Sequence, residues 1–447
     1  MIEAMAAAPA QAEAADLVGR YEGALNVGGT SLPLLIRVEA DGQVFMDSPA
    51  QNARGMAVTE LTETGGVVRF TVPIAHGRFE GVRSADGETW TGAWSQGSAS
   101  LPLILTRAAA GAEPAGPARP QTPVPPFPYA AEDVTFRNDG AGITLSGTLT
   151  VPEGEGPFPA AVLLTGSGAQ DRDETIFDHK PFAVWADALT RRGIAVLRYD
   201  DRGVGGSGGG TVDDTSEDFA TDAAAAIAFL RTRPDIDATR IGLMGHSEGG
   251  TTAPLAVSEG ASAAFMVMLA GPAVTGADII TEQAARLAEA AGASADQVAE
   301  TRRVQGEVMA AVVRNKDDGQ AAARDVEAAL VAAGQSAEQA HAGVRVLSSP
   351  WYRFFASHDP APALAALHIP VLAVYGGKDL QVPADQNAAA LARIQPRAEI
   401  VVLPGLNHLM QTAGTGLPGE YGTITETLAP EAIATVTNWI VRVTGGR

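Results

Sequence analysis

The sequence predicts an α/β protein: a doubly wound, mostly parallel sheet with a helical cap insertion, preceded by a small all-β N-terminal domain. Three observations predict it. From residue 129 onward, near-continuous apolar runs alternate with helical stretches, and that alternation demands a parallel sheet with right-handed crossovers. Up to residue 107, short β-runs recur at about 8–12-residue spacing with turn signals between them. Between the two regions, seven prolines fall from Pro114 to Pro128 among Ala and Gly, which marks an extended, semi-rigid linker without a core.

The elements follow in order. Residues 4–15 read AMAAAPAQAEAA. They match either the end of a secretory signal, lacking its basic and apolar regions, or an Ala-rich tail. The first reading implies a periplasmic or secreted protein, the second a cytoplasmic one. The expected divisions are a tail at 1–15, the all-β domain at 16–107, the linker at 108–128 and the α/β domain at 129–447. In the all-β domain, runs at 32–38, 67–73, 77–84, 88–95 and 101–107 are punctuated by Asp41-Gly42, Gly65-Gly66, Asp86-Gly87 and Gly97-Ser98. Repeated antiparallel pairing of this kind implies a small barrel or sandwich. His76, the one histidine of this segment, reads as a solvated turn residue.

In the α/β domain, β-runs at 133–136 and 143–151 precede strands at 160–165, 194–199, 240–245, 264–270, 371–375 and 399–403. These strands are near-continuously apolar, as strands buried on both faces must be. Helices are expected at 182–192, 219–231, 249–257, 385–394 and 430–443. Between residues 270 and 371 the alternation is interrupted by a stretch rich in Ala, Glu, Gln and Arg, with helices expected at 279–291, 295–313 and 321–333. An insertion after a strand's C-terminal end sits over the place where such sheets bind ligands, so 273–365 is read as a cap.

Composition narrows the function. Of 447 residues, 46% are hydrophobic and 19% charged, a globular balance. Lys and Arg number 31 against 52 Asp and Glu, a formal charge of −21; so acidic a surface repels phosphate backbones and excludes nucleic acid as the main partner. The chain has no cysteine, which removes disulfides, thiolate-bound metals and a Cys nucleophile. No apolar run approaches the ~18–20 residues of a membrane span. The seven histidines are scattered and no metal-binding spacing occurs; the acid-rich 170–174 reads as a solvated loop. No cofactor or metal is expected, the expected partner is a small molecule, and a homodimer stays open.

The chemistry enters at Gly245-His246-Ser247-Glu248-Gly249-Gly250, a G-x-S-x-G between a strand and a helix. A nucleophile on a strained turn needs neighbours without Cβ atoms, and the helix N-terminus turns free N–H groups toward developing negative charge. A serine hydroxyl needs a base, and the chain order for this elbow is Ser, acid, His. Gly376-Gly377-Lys378-Asp379 puts a carboxylate at one strand tip, and Pro404-Gly405-Leu406-Asn407-His408 puts an imidazole at the next. Ser247, Asp379 and His408 are therefore the expected triad. The oxyanion donors expected are the N–H of Glu248 and one from the loop after strand 160–165, Ser167 first and Gly168 second.

The rivals fare less well. His246 reads as a packing residue beside the serine, His179 as a satisfied loop histidine, and His341, His358 and His368 fall in or beside the insertion. Asp385 lies inside a helix, behind Asp379. Asp201 and Arg202, in the Gly-rich loop 199–207, are expected to brace the site loops through buried hydrogen bonds.

Leu164-Thr165-Gly166-Ser167-Gly168 with Gln170-Asp171-Arg172-Asp173-Glu174, the stretch 199–205, and 245–250 together resemble the esterase D-like bacterial group of α/β-hydrolase carboxylesterases, related to prolyl-oligopeptidase-like hydrolases. The resemblance runs from Tyr129 to the C-terminus and more loosely over the β domain. It implies the triad Ser247, Asp379 and His408, an oxyanion loop at Ser167 and Gly168 with Ala169 where proline is common, and cofactor-free hydrolysis of short-chain acyl esters. A peptidase or amidase, an acyl-thioesterase, and a binding protein on a hydrolase scaffold are the alternatives.

Overall fold

The computed structural model describes residues 17–27, 30–39, 42–48, 53–75, 77–96, 99–108 and 118–445. The N-terminal tail, His76, the Gly97-Ser98 turn and the first half of the proline-rich stretch lie outside these described residues. The chain falls into two compact units whose main boundary lies between Ala118 and Arg119.

In the N-terminal unit, period-2 alternation produces antiparallel strands. These are β1 (Gly19–Val27), β2 (Thr30–Val38), β3 (Val44–Ser48), β4 (Ala53–Ala57), β5 (Thr59–Thr64), β6 (Val67–Val72), β7 (Gly77–Arg83), β8 (Thr89–Gln96) and β9 (Ala99–Arg107). They form one sheet in the order β4-β3-β2-β1-β9-β8-β7-β6-β5. The end strands β4 and β5 are separated in the chain by Val58 alone, so the two edges of the sheet approach each other at that residue. The inward residues of β6 and β7 alternate with exposed or half-buried ones. Phe70, Phe79, Trp90 and Trp94 form the core with Tyr21 and Ile36. Tyr21 stacks on Trp90 with ring centroids 3.9 Å apart.

In the C-terminal unit, β10 (Tyr129–Asn138), β11 (Ile143–Pro152), β12 (Phe158–Leu164), β13 (Ala195–Tyr199), β14 (Ile236–His246), β15 (Met266–Leu269), β16 (Val371–Gly376) and β17 (Glu399–Leu403) make a second sheet. Its order is β10-β11-β13-β12-β14-β15-β16-β17. The pairs β10–β11 and β11–β13 are antiparallel and all the others parallel. Strands β15 and β16 are buried at every position, the state their unbroken apolar runs require.

Helices cover both faces of this sheet. They are α1 (Pro181–Thr190), α2 (Ser216–Arg231), α3 (Gly249–Ser258), then six helices in succession, then α10 (Ala384–Ile394) and α11 (Pro430–Thr444). Helices α1 and α11 pack together, as do α2 and α3. This is the α/β-hydrolase arrangement that the resemblance implies.

The six successive helices are the insertion: α4 (Gly276–Ala290), α5 (Ala295–Arg314), α6 (Gly319–Ala332), α7 (Ala337–Leu347), α8 (Pro350–Ser357) and α9 (Ala361–Ala365). The sequence reading places three of them; α7, α8 and α9 are additional. The side chains of Thr275, Ser294, Asp318, Ser336 and Ser349 cap α4 to α8 by accepting main-chain N–H bonds, each satisfying donors a helix start leaves open. The insertion has its own core around Val312, Val326 and Tyr352.

The proline-rich stretch behaves differently from a free linker over its second half. Arg119 donates to the carbonyls of Ile424 (2.6 Å) and Gly422 (2.8 Å), and the Gln121 amide donates to Leu428 O and accepts from the N–H of Thr427 and Leu428. Two side chains that a composition argument counts as linker filler thus pin residues 119–121 to the C-terminal unit.

Trp90 is fully buried against Tyr21 and Phe70. Trp90→Ala should destabilise the N-terminal unit by about 3–5 kcal/mol, read as a lower denaturant midpoint in urea unfolding.

Candidate active site

Strand β14 ends at His246 and α3 begins at Gly249, so Ser247 sits at the turn between them with φ +51°. A non-glycine residue in this left-handed region costs on the order of 1–3 kcal/mol, and the surroundings must enforce it. They do so by close main-chain contact. The Ser247 N–H donates to Leu269 O of β15 at 2.8 Å and Ser247 O accepts from Gly250 N–H at 2.8 Å. A Cβ on Gly245 would lie 2.0 Å from Gly249 O, one on Gly249 2.3 Å from Leu164 O, and one on Gly250 2.6 Å from Gly271 Cα. The glycines of the motif are there because backbone meets backbone.

Asp379 follows β16 and His408 follows β17, on the same carboxyl edge of the sheet. Asp379 Oδ1 accepts the N–H groups of Gln381 (2.8 Å) and Val382 (2.9 Å), and Oδ2 lies 2.9 Å from His408 Nδ1. Both side chains are buried. A carboxylate accepting at Nδ1 fixes the imidazole tautomer with its proton there, and Nε2 has no protein partner among the described residues. The histidine loop is rigid in its own right. Asn407 Oδ1 accepts from Leu409 N–H and Gln411 N–H at 3.0 Å, and its amide donates to Gln411 Oε1 at 2.9 Å.

The rivals lie elsewhere. Asp385 is paired with Arg286 on the surface of α10 at 2.6 Å. His179 is buried with its Nδ1 2.8 Å from Thr427 Oγ1 and its Nε2 3.1 Å from Tyr421 O. His341 lies on α7, His358 ends α8 and His368 contacts Arg397.

The loop after β12 is held by carboxyl groups. Thr165 Oγ1 donates to Asp201 Oδ1 (2.8 Å), Gln170 N–H to Asp201 Oδ2 (3.0 Å), and Gly166 N–H to Glu174 Oε1 (2.6 Å). Among the described residues no acceptor meets the N–H groups of Ser167, Gly168 or Glu248. Arg202 instead turns to α2: its Nε donates to Asp222 Oδ2 (2.7 Å) and its Nη2 to Asp218 O (2.7 Å). Asp201 thus braces the loop at residues 165–170, while Arg202 ties the next loop to a helix.

Sequence reasoning missed two groups. Glu174 belongs to the acid-rich stretch read as solvated, yet it is buried. Its neighbours are engaged as well: Arg172 with Asp200 at 2.8 Å, Asp173 with Arg198, and Asp171 with the N–H groups of Asp173 and Thr175. Charge density suggested water, but a long-range set of partners takes its place. The second missed group is Trp351 of α8, whose Nε1 donates to Glu248 Oε1 at 2.9 Å beside Ser216 Oγ at 2.5 Å. Burial raises the Glu248 pKa against these bonds. Gly168, Ala169, Phe219 and Trp351, with Asp201 and Arg202, line a cavity of about 240 Å³. Among the described residues there is no group of side chains that could hold a metal ion and no helix long and apolar enough to cross a membrane.

Burial pushes the Asp201 carboxyl up to about 8, against the hydrogen bonds from Thr165 and Gln170 that favour its charged form. The folded chain therefore holds this proton more tightly than the unfolded chain, whose carboxyl ionises near ~4, and stability falls as pH rises between the two values. Asp201→Asn should flatten that fall between about pH 5 and 8, measured as Tm against pH.

A family model described as "Serine aminopeptidase, S33" matches residues 180–412, more than half of the chain. Esterase EstD of Thermotoga maritima is 30% identical over 303 residues, 67% of this chain and 64% of that protein, so the chain spans just under two thirds of this relative. An uncharacterized protein of Pseudomonas aeruginosa is 32% identical over 139 residues, 30% of this chain and 35% of that one. Among solved structures, a Pyrococcus furiosus esterase superposes with a TM-score of 0.44 at 16% identity, covering 73% of this chain and 97% of that one. On the extent of the family match, the chain belongs to the serine aminopeptidase S33 family of α/β-hydrolases.

Proposed function

We propose that this protein is a serine carboxylesterase that hydrolyses short-chain acyl esters through an acyl-enzyme on Ser247. The observation that carries the reading is the set of groups on one sheet edge. Ser247 is held at φ +51°, a buried Asp379–His408 pair lies at 2.9 Å with Nε2 free of protein partners, and the N–H groups of Glu248, Ser167 and Gly168 are without acceptors among the described residues.

In this mechanism His408 Nε2 takes the Ser247 proton as Oγ attacks the ester carbonyl. The carbonyl oxygen becomes an oxyanion stabilised by Glu248 N–H and by Ser167 or Gly168 N–H. The imidazolium then gives its proton to the departing alkoxide, leaving acyl-Ser247 and a free alcohol. Water, deprotonated by His408, attacks the acyl group, and the returning proton restores the serine as the acid departs. Asp379 stays ionised throughout and stabilises the imidazolium. Donors fixed before reaction need no reorganisation when charge appears, which suits a loop tied down by Asp201 and Glu174.

The named esterase relative supports an ester over an amide. The family description supports a second reading, cleavage of an amide by the same groups.

A series of p-nitrophenyl acyl esters run beside peptide anilides and acyl-CoA should show ester turnover strongest for short chains. Ser247→Ala should abolish it, and His408→Ala or Asp379→Asn should lower kcat on the order of 10,000-fold. Faster turnover of anilides or acyl-CoA would move the assignment to amidase or thioesterase, and turnover surviving in Ser247→Ala would remove the triad.

A further inference from the structure

His246 and Glu174 touch no reacting atom in the chemistry above, yet they lie between the loop after β12 and the His408 loop. Glu174 stands at φ +51° and is buried. Its Oε1 accepts the Gly166 N–H at 2.6 Å and lies 2.9 Å from His246 Nδ1. The other ring nitrogen, Nε2, lies 3.0 Å from the carbonyl oxygen of His408. A carbonyl oxygen can only accept, and a carboxylate already receiving an amide N–H is an acceptor too. With Glu174 ionised, an imidazole facing two acceptors satisfies both only when both nitrogens carry protons. The pair is then an imidazolium on a carboxylate, closed off by Phe182 and Trp185 of α1, Leu269 of β15, and Leu409 and Leu428, none of which carries charge.

The other titratable groups facing His246 are His408, with ring centroids 4.9 Å apart, and Asp379. Burial acts to lower the His246 pKa, but Glu174 and the His408 carbonyl outweigh it and hold it above the ordinary value.

We propose, resting on the esterase reading, that Glu174 and His246 are a positioning pair that fixes the oxyanion loop and the His408 loop at one spacing across Ser247. The connection runs Gly166 N–H to Glu174, Glu174 to His246, and His246 to the His408 carbonyl. No strand pairing supplies this spacing, because β12 and β17, which carry the two loops, are separated in the sheet by β14, β15 and β16. The residue next to the nucleophile bridges them instead. Glu174→Gln removes the charge that keeps the second proton on His246, so the ring can serve only one of its two acceptors. His246→Asn keeps a donor toward Glu174 and loses the reach to His408.

The test measures both variants, the double variant and Ser247→Ala on a short p-nitrophenyl ester, together with nitrogen NMR of 15N-histidine-labelled protein. Each single variant should lose on the order of 10–100-fold in kcat with KM within about threefold, and the double variant should lose no more than the worse single one. NMR should find His246 doubly protonated at neutral pH in the parent and singly protonated in Glu174→Gln. Unchanged kcat in both variants, additive losses in the double variant, a parallel rise in KM, or a singly protonated His246 in the parent would each overturn the pair. Turnover surviving in Ser247→Ala would instead remove the esterase reading, and the NMR result stands or falls without it.

Discussion

The C-terminal unit depends on a contact made by no side chain: main chain against main chain where β14 turns into α3. Gly245, Gly249 and Gly250 let the turn press against its own first helical turn, against Leu164 of β12 and against Gly271 after β15. That approach holds Ser247 in a strained backbone region and brings the start of α3 beside the end of β12. The loop that follows β12 is therefore next to the elbow for a steric reason, before any polar group acts. Strain at such a turn persists only when its surroundings over-determine it, and here three separate strands and a helix do so.

Polar groups then set what the steric contact leaves adjustable. Three buried carboxyl groups, Asp201, Glu174 and Glu248, surround residues 165–170, and of these Glu174 is the one that meets a histidine, His246. An unpaired charge is costly to bury, so the other two have their pKa values raised by burial. The arrangement favours hydrogen bonds to neutral or near-neutral groups over ion pairs. It also leaves the amides of Ser167, Gly168 and Glu248 without acceptors among the described residues.

Much of this is legible in the sequence, and the parts that are not share a cause. The parallel strands are readable because burial on both faces leaves unbroken apolar runs, as at β15 and β16. Ser247 and Asp379 stand out because each follows such a run, whereas His408 follows β17, an edge strand without a buried position, and the order of the sheet brings the three tips to one edge. Glu174 could not be read, because its burial depends on His246 and Gly166, partners that no local pattern announces. Trp351 is invisible for the same reason. Helices α7 and α8 carry a local signal: Ser336 with Gln339 forms a capping box, and Ser349 precedes a proline at the first helical position.

Arg119 and Gln121 bear on how separable the two units are. Severing the chain at the end of the proline-rich stretch would strip both side chains from the α/β unit. The carbonyls of Gly422, Ile424 and Leu428 and the amides of Thr427 and Leu428 would lose their partners. Those residues lie in the segment that runs from the histidine loop into α11. In evolutionary terms the module that can be shuffled onto another N-terminal partner therefore begins before its first strand, at Arg119, and carries a short proline-rich strap as an integral part.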